Sequence, residues 1–345
     1  SQFPIGIALD RVGPRLTAAA LLADGAGLGA GVFAMASQPW MITAAMALIG
    51  IGCAPVLMAS LFIFARTQAP ARFAMLASWM VALGTAGNVI GAAPLALASA
   101  EFGWRAVMAA LGAVSVLVAV AVAVLVRDPP AQPATAGRSG GYGELLSLRA
   151  LWPLIPLTAV AYASSVCIRG LWAGPYLADV HGAGVVEIGN VTLVMALAMV
   201  AGAFVYGPLD QIFGTRKWVA VCGTAICIAC LVFLGMFPRS SVTTVTLALA
   251  LLGLSGGTYG LLMAHARAFF PPHLIGRGVT LMNFFAIGGA GMMQFVTGLV
   301  VTDALVPEDP AAAYGTLFQF MAAVLAAGWL IYLSSRDAPP ASARG

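Results

Sequence analysis

The chain has 345 residues, 61% of them apolar, and only 8% carry a charge, 16 Lys+Arg against 12 Asp+Glu for a net +4. An ordinary soluble domain carries roughly 25% charged residues, so a water-facing enzyme surface cannot be built here. The apolar excess equally excludes a disordered chain, and lipid is left as the solvent for most of it.

A membrane-crossing helix needs roughly 20 mostly apolar residues, and the chain supplies ten such runs. It opens on an apolar stub that ends in GIALDRVGPR (6–15) and leads into spans at 16–37 and 41–64. The first carries Asp24 among Gly25, Gly27, Gly29 and Gly31; the second carries Cys53, Pro55 and Met58. Arg66, Pro70 and Arg72 precede the third, 73–99, which holds Gly84, Gly87, Asn88 and Gly91. A Phe102-Gly103-Trp104-Arg105 turn opens the fourth, 104–126. The polar stretch 127–149, rich in Pro, Gly and Ser, reads as a linker.

Beyond the linker, the span 152–177 contains Arg169, with Trp172 and Tyr176 at i+3 and i+7, a spacing that predicts one shared helical face. The next, 188–209, runs into YGPLDQIFGTRK (206–217). Cys222, Cys227 and Cys230 sit in or beside apolar helix at 218–237 and read as small packing residues rather than a metal or redox site. In 243–266, Ser255, Tyr259 and Met263 follow at i, i+4 and i+8, with His265 and Arg267 at the inner end. Pro271 and Arg277 precede 278–302, which holds the amides Asn283 and Gln294 among Gly288, Gly289 and Gly291; the span 315–334 closes the series. These runs are continuous, without the period-2 alternation of a barrel strand.

Sorting charges by loop sets the orientation. One alternating set of loops holds Arg11, Arg15, Arg66, Arg72, Arg127, Arg138, Arg149, Arg216, Lys217, Arg267, Arg277, Arg336 and Arg344; the other holds only Arg105 and Arg239. The first set, with the linker and the C-terminus, is predicted to be cytoplasmic. The net positive charge therefore reflects topology and does not call for a nucleic-acid partner. A repeat is also visible. Asp10 matches Asp210, Arg66 matches Arg267, Pro70 matches Pro271 and Gly91 matches Gly291. Two halves of six helices in this register are expected, and by that symmetry about 50 residues would precede Ser1, comprising one span and most of a second.

The loop GIALDRVGPR resembles the signature between the second and third helices of the major facilitator superfamily, through Gly6, Asp10, Arg11, Gly13 and Arg15. Ala8 and Pro14 depart from the usual Leu and Arg. A looser second copy keeps Asp210, Gly214, Arg216 and Lys217, with Gln211 where Arg is usual. The resemblance implies an all-α membrane fold of two pseudo-symmetric six-helix bundles. Ten full helices and the end of one are present, divided as 1–126, a linker 127–149, and 150–345. It also implies a gating role for these loops, each Asp facing the positive end of a helix in the opposite half, near Arg277 for Asp10 and near Arg72 for Asp210.

The function implied is secondary transport of a small solute by alternating access between two bundles. Charges inside the membrane are costly and mark sites. Arg169, with five donors suited to a carboxylate or phosphate, favours an organic anion, with Trp172 and Tyr259 as neutral contacts. Asp24 is a candidate for proton or other ion coupling. The alternatives are proton-coupled efflux of amphipathic compounds, and a receptor or scaffold that keeps the fold without transport. No P-loop, HExxH or GxSxG is present, so neither an enzyme nor a cofactor or metal is expected. The expected setting is a bacterial inner membrane, the expected state a monomer in the lipid bilayer.

Overall fold

The computed structural model describes residues 12–67, 93–128, 142–271, 274–304 and 309–338, with Ile5, Ala8, Gly84, Gly87, Ile90 and Gly91 as isolated points. Gly6, Asp10, Arg11, Arg72 and Asn88 lie outside the described residues, as do most of the third expected span and the middle of the linker. The described residues are helical and contain no strand, and nine of their helices are long and apolar enough to cross a membrane. The chain divides into two compact units, Ser1–Ala136 and Gly137–Gly345.

In the first unit, α1 (Pro14–Ala34) starts at Gly13, whose φ of +98° only glycine adopts without strain, with Pro14 in the first turn where its missing N–H costs nothing. Its middle, Leu22–Gly27, is π-helical. α2 (Pro39–Thr67) lies so close that a Cβ on Gly52 would overlap the backbone nitrogen of Ala26. Lipid gives helices no hydrophobic reason to associate, so such backbone approach is what holds them together. A short α3 (Ala93–Phe102) leads through Gly103, at φ +78°, into α4 (Trp104–Leu125), which packs on α1. The Arg105 guanidinium stacks 4.2 Å over Trp104 and donates to the Ala36 carbonyl at 3.1 Å, satisfying the chain just beyond α1.

The second unit begins with α5 (Tyr142–Leu146), which seats Leu145 in the unit's core although it belongs to the stretch read as linker. Six long helices follow: α6 (Leu154–His181), α7 (Val185–Phe213), α8 (Lys217–Met236), α9 (Val242–Arg267), α10 (Ile275–Ala304) and α11 (Pro310–Leu333). α6 packs on α10, α8 on α11 and α7 on α9. A Cβ on Gly289 would overlap the Ala159 carbonyl, and one on Gly202 the Leu254 carbonyl. Phe204, Met292 and Phe295 point outward and are exposed, as lipid-facing side chains are.

Candidate functional site

α6 is α-helical to Cys167, π-helical from Ile168 to Trp172, and α-helical again from Ala173. The wide turn changes which residues share a side. Arg169 is half-buried, Gly170 and Leu171 are exposed, and Trp172 is buried. The Trp172 indole N–H donates to the Thr297 hydroxyl at 2.9 Å, and its ring meets Tyr314 at 6.4 Å. Tyr176 is fully buried, donates to the Pro238 carbonyl at 2.6 Å and packs on Tyr314 and Phe318. The single face expected for Arg169, Trp172 and Tyr176 is therefore corrected. Hydrogen bonds five residues apart lengthen the turn, and i+3 no longer falls beneath i. Trp172 meets Thr297 of α10, and both Trp172 and Tyr176 meet Tyr314 of α11.

Arg169 has other company. Tyr162, seven residues earlier on α6, lies within electrostatic reach of its guanidinium. The Tyr162 ring meets that of Tyr259 on α9 at 5.0 Å with a 42° tilt, and Tyr259 donates its O–H to the Asn283 side-chain oxygen on α10 at 2.7 Å. All four side chains are half-buried. The face expected for Ser255, Tyr259 and Met263 is also corrected: α9 breaks its α-helical run at Gly256 and Gly257, which leaves Ser255 buried while Tyr259 and Met263 stay half-buried. A Cβ on Gly257 would overlap Gly202 of α7, so the break lets α9 lean on its neighbour just before Tyr259.

In the first unit, Asp24 is exposed within the π-helical segment of α1, ten residues from each end of that span.

The loop motifs sit at the ends of helices. Gly214, at φ +62°, ends α7, and buried Asp210 accepts from the Arg216 Nε at 3.0 Å within its own unit. Lys217 donates its ammonium to the Leu333 and Ser335 carbonyls at 2.7 and 2.8 Å, closing the C-terminus of α11. The chain beyond α11 is strapped across this end. Asp337 accepts from the Thr215 hydroxyl and from the Arg216 and Lys217 amides at 3.2 and 3.0 Å. Buried His265 bonds the Tyr332 hydroxyl at 2.7 Å and the Arg336 carbonyl at 2.9 Å. Desolvation opposes the Asp337 carboxylate, but the Thr215, Lys217, Arg216 and Ala338 hydrogen bonds outweigh it and hold its pKa below the ordinary 3.8.

The first unit repeats this device. Asp128, just past α4, accepts the Arg15 amide at 2.8 Å, beside the turn at Gly13. Asp128 and Asp337 were not singled out from the sequence. The signal was an Arg-Asp pair, Arg127-Asp128 and Arg336-Asp337, after the last helix of each half.

A model of the Major Facilitator Superfamily matches the chain in two passes, residues 1–174 and 154–345. Among solved structures, the chain is similar to a bacterial homolog of the human lysosomal transporter Spinster in an inward-facing, occupied conformation. That match has a TM-score of 0.69 at 19% identity and covers 96% of this chain and 84% of that one. It is similar to a mutant of the nucleoside transporter NupG, with a TM-score of 0.76 at 12% identity over 96% of this chain and 86% of that one. The D-xylose-proton symporter matches with a TM-score of 0.69 at 14% identity, over 93% and 82%. No curated protein matches the chain. At these identities the likeness is one of fold.

Proposed function

The chain belongs to the major facilitator superfamily, and on that premise we propose that it is a secondary transporter that moves a small organic anion across a membrane by alternating access. The observation that carries this reading is Arg169: a guanidinium in the interior of a membrane span, half-buried, on the same helix as Tyr162, whose ring meets Tyr259 of the Tyr259–Asn283 pair. A charge in such a place is expensive and is kept for what it binds. The planar fork of Arg matches a carboxylate with two parallel hydrogen bonds. Tyr259 and Asn283 add neutral polar groups, and Trp172 acts at one remove by fixing α6 against α10 through Thr297. Structural neighbours named as nucleoside and D-xylose carriers agree with a small polar solute as cargo.

The loop motifs Gly13–Arg15 and Asp210–Arg216, with Gly6, Asp10 and Arg11 of the first copy, serve as the gate, and loop charge places them with the C-terminus on the cytoplasmic side of a bacterial inner membrane. The transporter works as a monomer. Asp24, a carboxylate in the middle of a span, is its ion-coupling residue.

Uptake and counterflow in proteoliposomes of the full chain test the reading. Labelled monocarboxylates are expected to exchange, with uptake falling at least about tenfold in Arg169→Ala, the loss of one bidentate charged contact. A pH gradient should drive uptake in the parent and fail to do so in Asp24→Asn. Transport of neutral solutes alone, unaffected by Arg169→Ala, would sink the anion reading.

A further inference from the structure

The side of α6 that carries Arg169 also carries an aromatic surface, and the two together say more than "anion". We propose that the site takes an aromatic carboxylate, its carboxylate on the Arg169 guanidinium and its ring against the Tyr162–Tyr259 pair. This rests on the anion reading above and narrows it.

Three observations converge. The first is reach. Tyr162 and Arg169 are seven residues apart on one helix, about 10 Å of rise. Helical side chains lean toward the N-terminus, so the guanidinium leans back over the preceding turns, and seven residues is two turns, which puts Tyr162 on the same side of α6. An anion held by Arg169 therefore has its body within about one ring's length of the tyrosines.

The second is the shape and chemistry of the pair. The rings lie 5.0 Å apart and tilted by 42°, and each is half-buried, so part of each ring remains accessible. Aromatic groups prefer offset or edge-to-face partners, so two tilted rings accept a third planar ring better than a puckered aliphatic one. The Tyr259 proton is already given to Asn283, so this residue offers its ring and an acceptor oxygen rather than a free donor.

The third is the charge the span carries. Among the described side chains of the second unit, Arg169 is the one cation away from a helix end. Arg216, Lys217, Arg239, Arg267 and Arg336 all lie at or beyond helix ends. One guanidinium matches one carboxylate, whereas a phosphate dianion would carry an uncompensated charge into the membrane.

The test is equilibrium binding to the purified full chain in nanodiscs at neutral pH, with benzoate, cyclohexanecarboxylate and benzamide as probes. Benzoate is expected to bind at least about twofold more tightly than cyclohexanecarboxylate, the least that a ring–ring contact contributes beyond its area. Tyr162→Leu should erase that ratio, Tyr162→Phe should keep it, and Trp152→Leu, at an exposed site, should leave it unchanged. Benzamide should bind far more weakly than benzoate. Equal affinity for the two carboxylates in the parent protein, or no binding of either, overturns the aromatic proposal. The anion reading survives that result if a non-aromatic carboxylate exchanges in proteoliposomes. If benzamide binds as well as benzoate, or benzoate binding survives Arg169→Gln unchanged, the anion reading itself falls. A ratio that persists in both Tyr162 variants puts the ring elsewhere and also overturns the proposal.

Discussion

At the scale of single residues, several polar groups of the second unit are held by specific partners, and each such partner predicts a measurable coupling. Tyr259 and Asn283 meet at 2.7 Å between α9 and α10. In a membrane such a bond stabilises less than its isolation suggests, because an unfolded helix in lipid also finds partners; interhelical hydrogen bonds there average about 0.6 kcal/mol. A double-mutant cycle of Tyr259→Phe and Asn283→Ala, read by denaturation in mixed micelles, should give a coupling of about that size. A coupling near zero would mean that the two groups do not meet in the folded protein. The same pair was only half legible in the sequence. Tyr259 stood out as a hydroxyl in mid-membrane, whereas Asn283 read as an ordinary interhelical amide and Tyr162 as nothing at all. A tyrosine in an apolar run gives no sign of what its ring touches until the neighbouring helices are in place.

At the scale of elements, the spans were legible because apolar length needs no tertiary information. The local departures from helical periodicity were not. Reading faces from i+3 and i+4 spacing assumes 3.6 residues per turn throughout, and π turns at Ile168–Trp172 and Leu22–Gly27 break that assumption. The i+3 step from Arg169 to Trp172 lies within the first of these turns. Glycines, by contrast, are plain in the sequence, and the contacts say which ones matter. A Cβ on Gly289 collides with the Ala159 backbone, which cannot yield, whereas Gly291 has open space around it. Gly289→Val should therefore cost about 1–3 kcal/mol by forcing α10 from α6, and should lower transport with it, since α6 carries Arg169. Gly291→Ala should be neutral in the same thermal-shift and uptake assays. Equal effects at the two sites would refute the close-packing account.

The strap after α11 makes a prediction at the same scale, and its sign follows from linkage. Asp337 has a folded pKa below 3.8. Its contribution is therefore fully present above its unfolded value and is lost only as pH falls through the lowered folded one. Amide exchange at Arg216 and Lys217, whose N–H groups Asp337 holds, should stay slow relative to its intrinsic rate from pH 8 to pH 5 and rise only below about 3.8. Asp337→Ala should release the same amides at every pH. Release between pH 7 and pH 5 in the parent would assign the holding group to His265, which bonds the neighbouring Arg336 carbonyl, rather than to the carboxylate.

At the scale of the whole molecule, the few charges do two jobs that a soluble protein would divide among many. They cap helix ends, as Asp128, Arg216, Lys217 and Asp337 do, and they orient the chain in the bilayer. The capping recurs in each half, at Gly13 and Gly214 and again at the Arg-Asp pairs, in the same register as the repeat read from Asp10 and Asp210 and from Gly91 and Gly291. Orientation is the part that labelling can decide. Arg239 is exposed in the short connection between α8 and α9, in the loop set poor in cations, where it pairs with Asp309 at 2.7 Å. Arg336 is exposed beyond α11, in the cation-rich set. In a background with Cys53, Cys167, Cys222, Cys227 and Cys230 replaced, Arg239→Cys should react with a membrane-impermeant maleimide added to intact cells, and Arg336→Cys only after the membrane is opened. Breaking the Arg239–Asp309 pair should change stability by under about 1 kcal/mol, because both partners are largely in water, so the label reports topology rather than unfolding. The reverse pattern would place the cation-rich loops, the two loop motifs and the C-terminal strap outside. The loop-charge argument would then fail for this chain as a whole, since one inverted helix cannot change sides without carrying its neighbours with it.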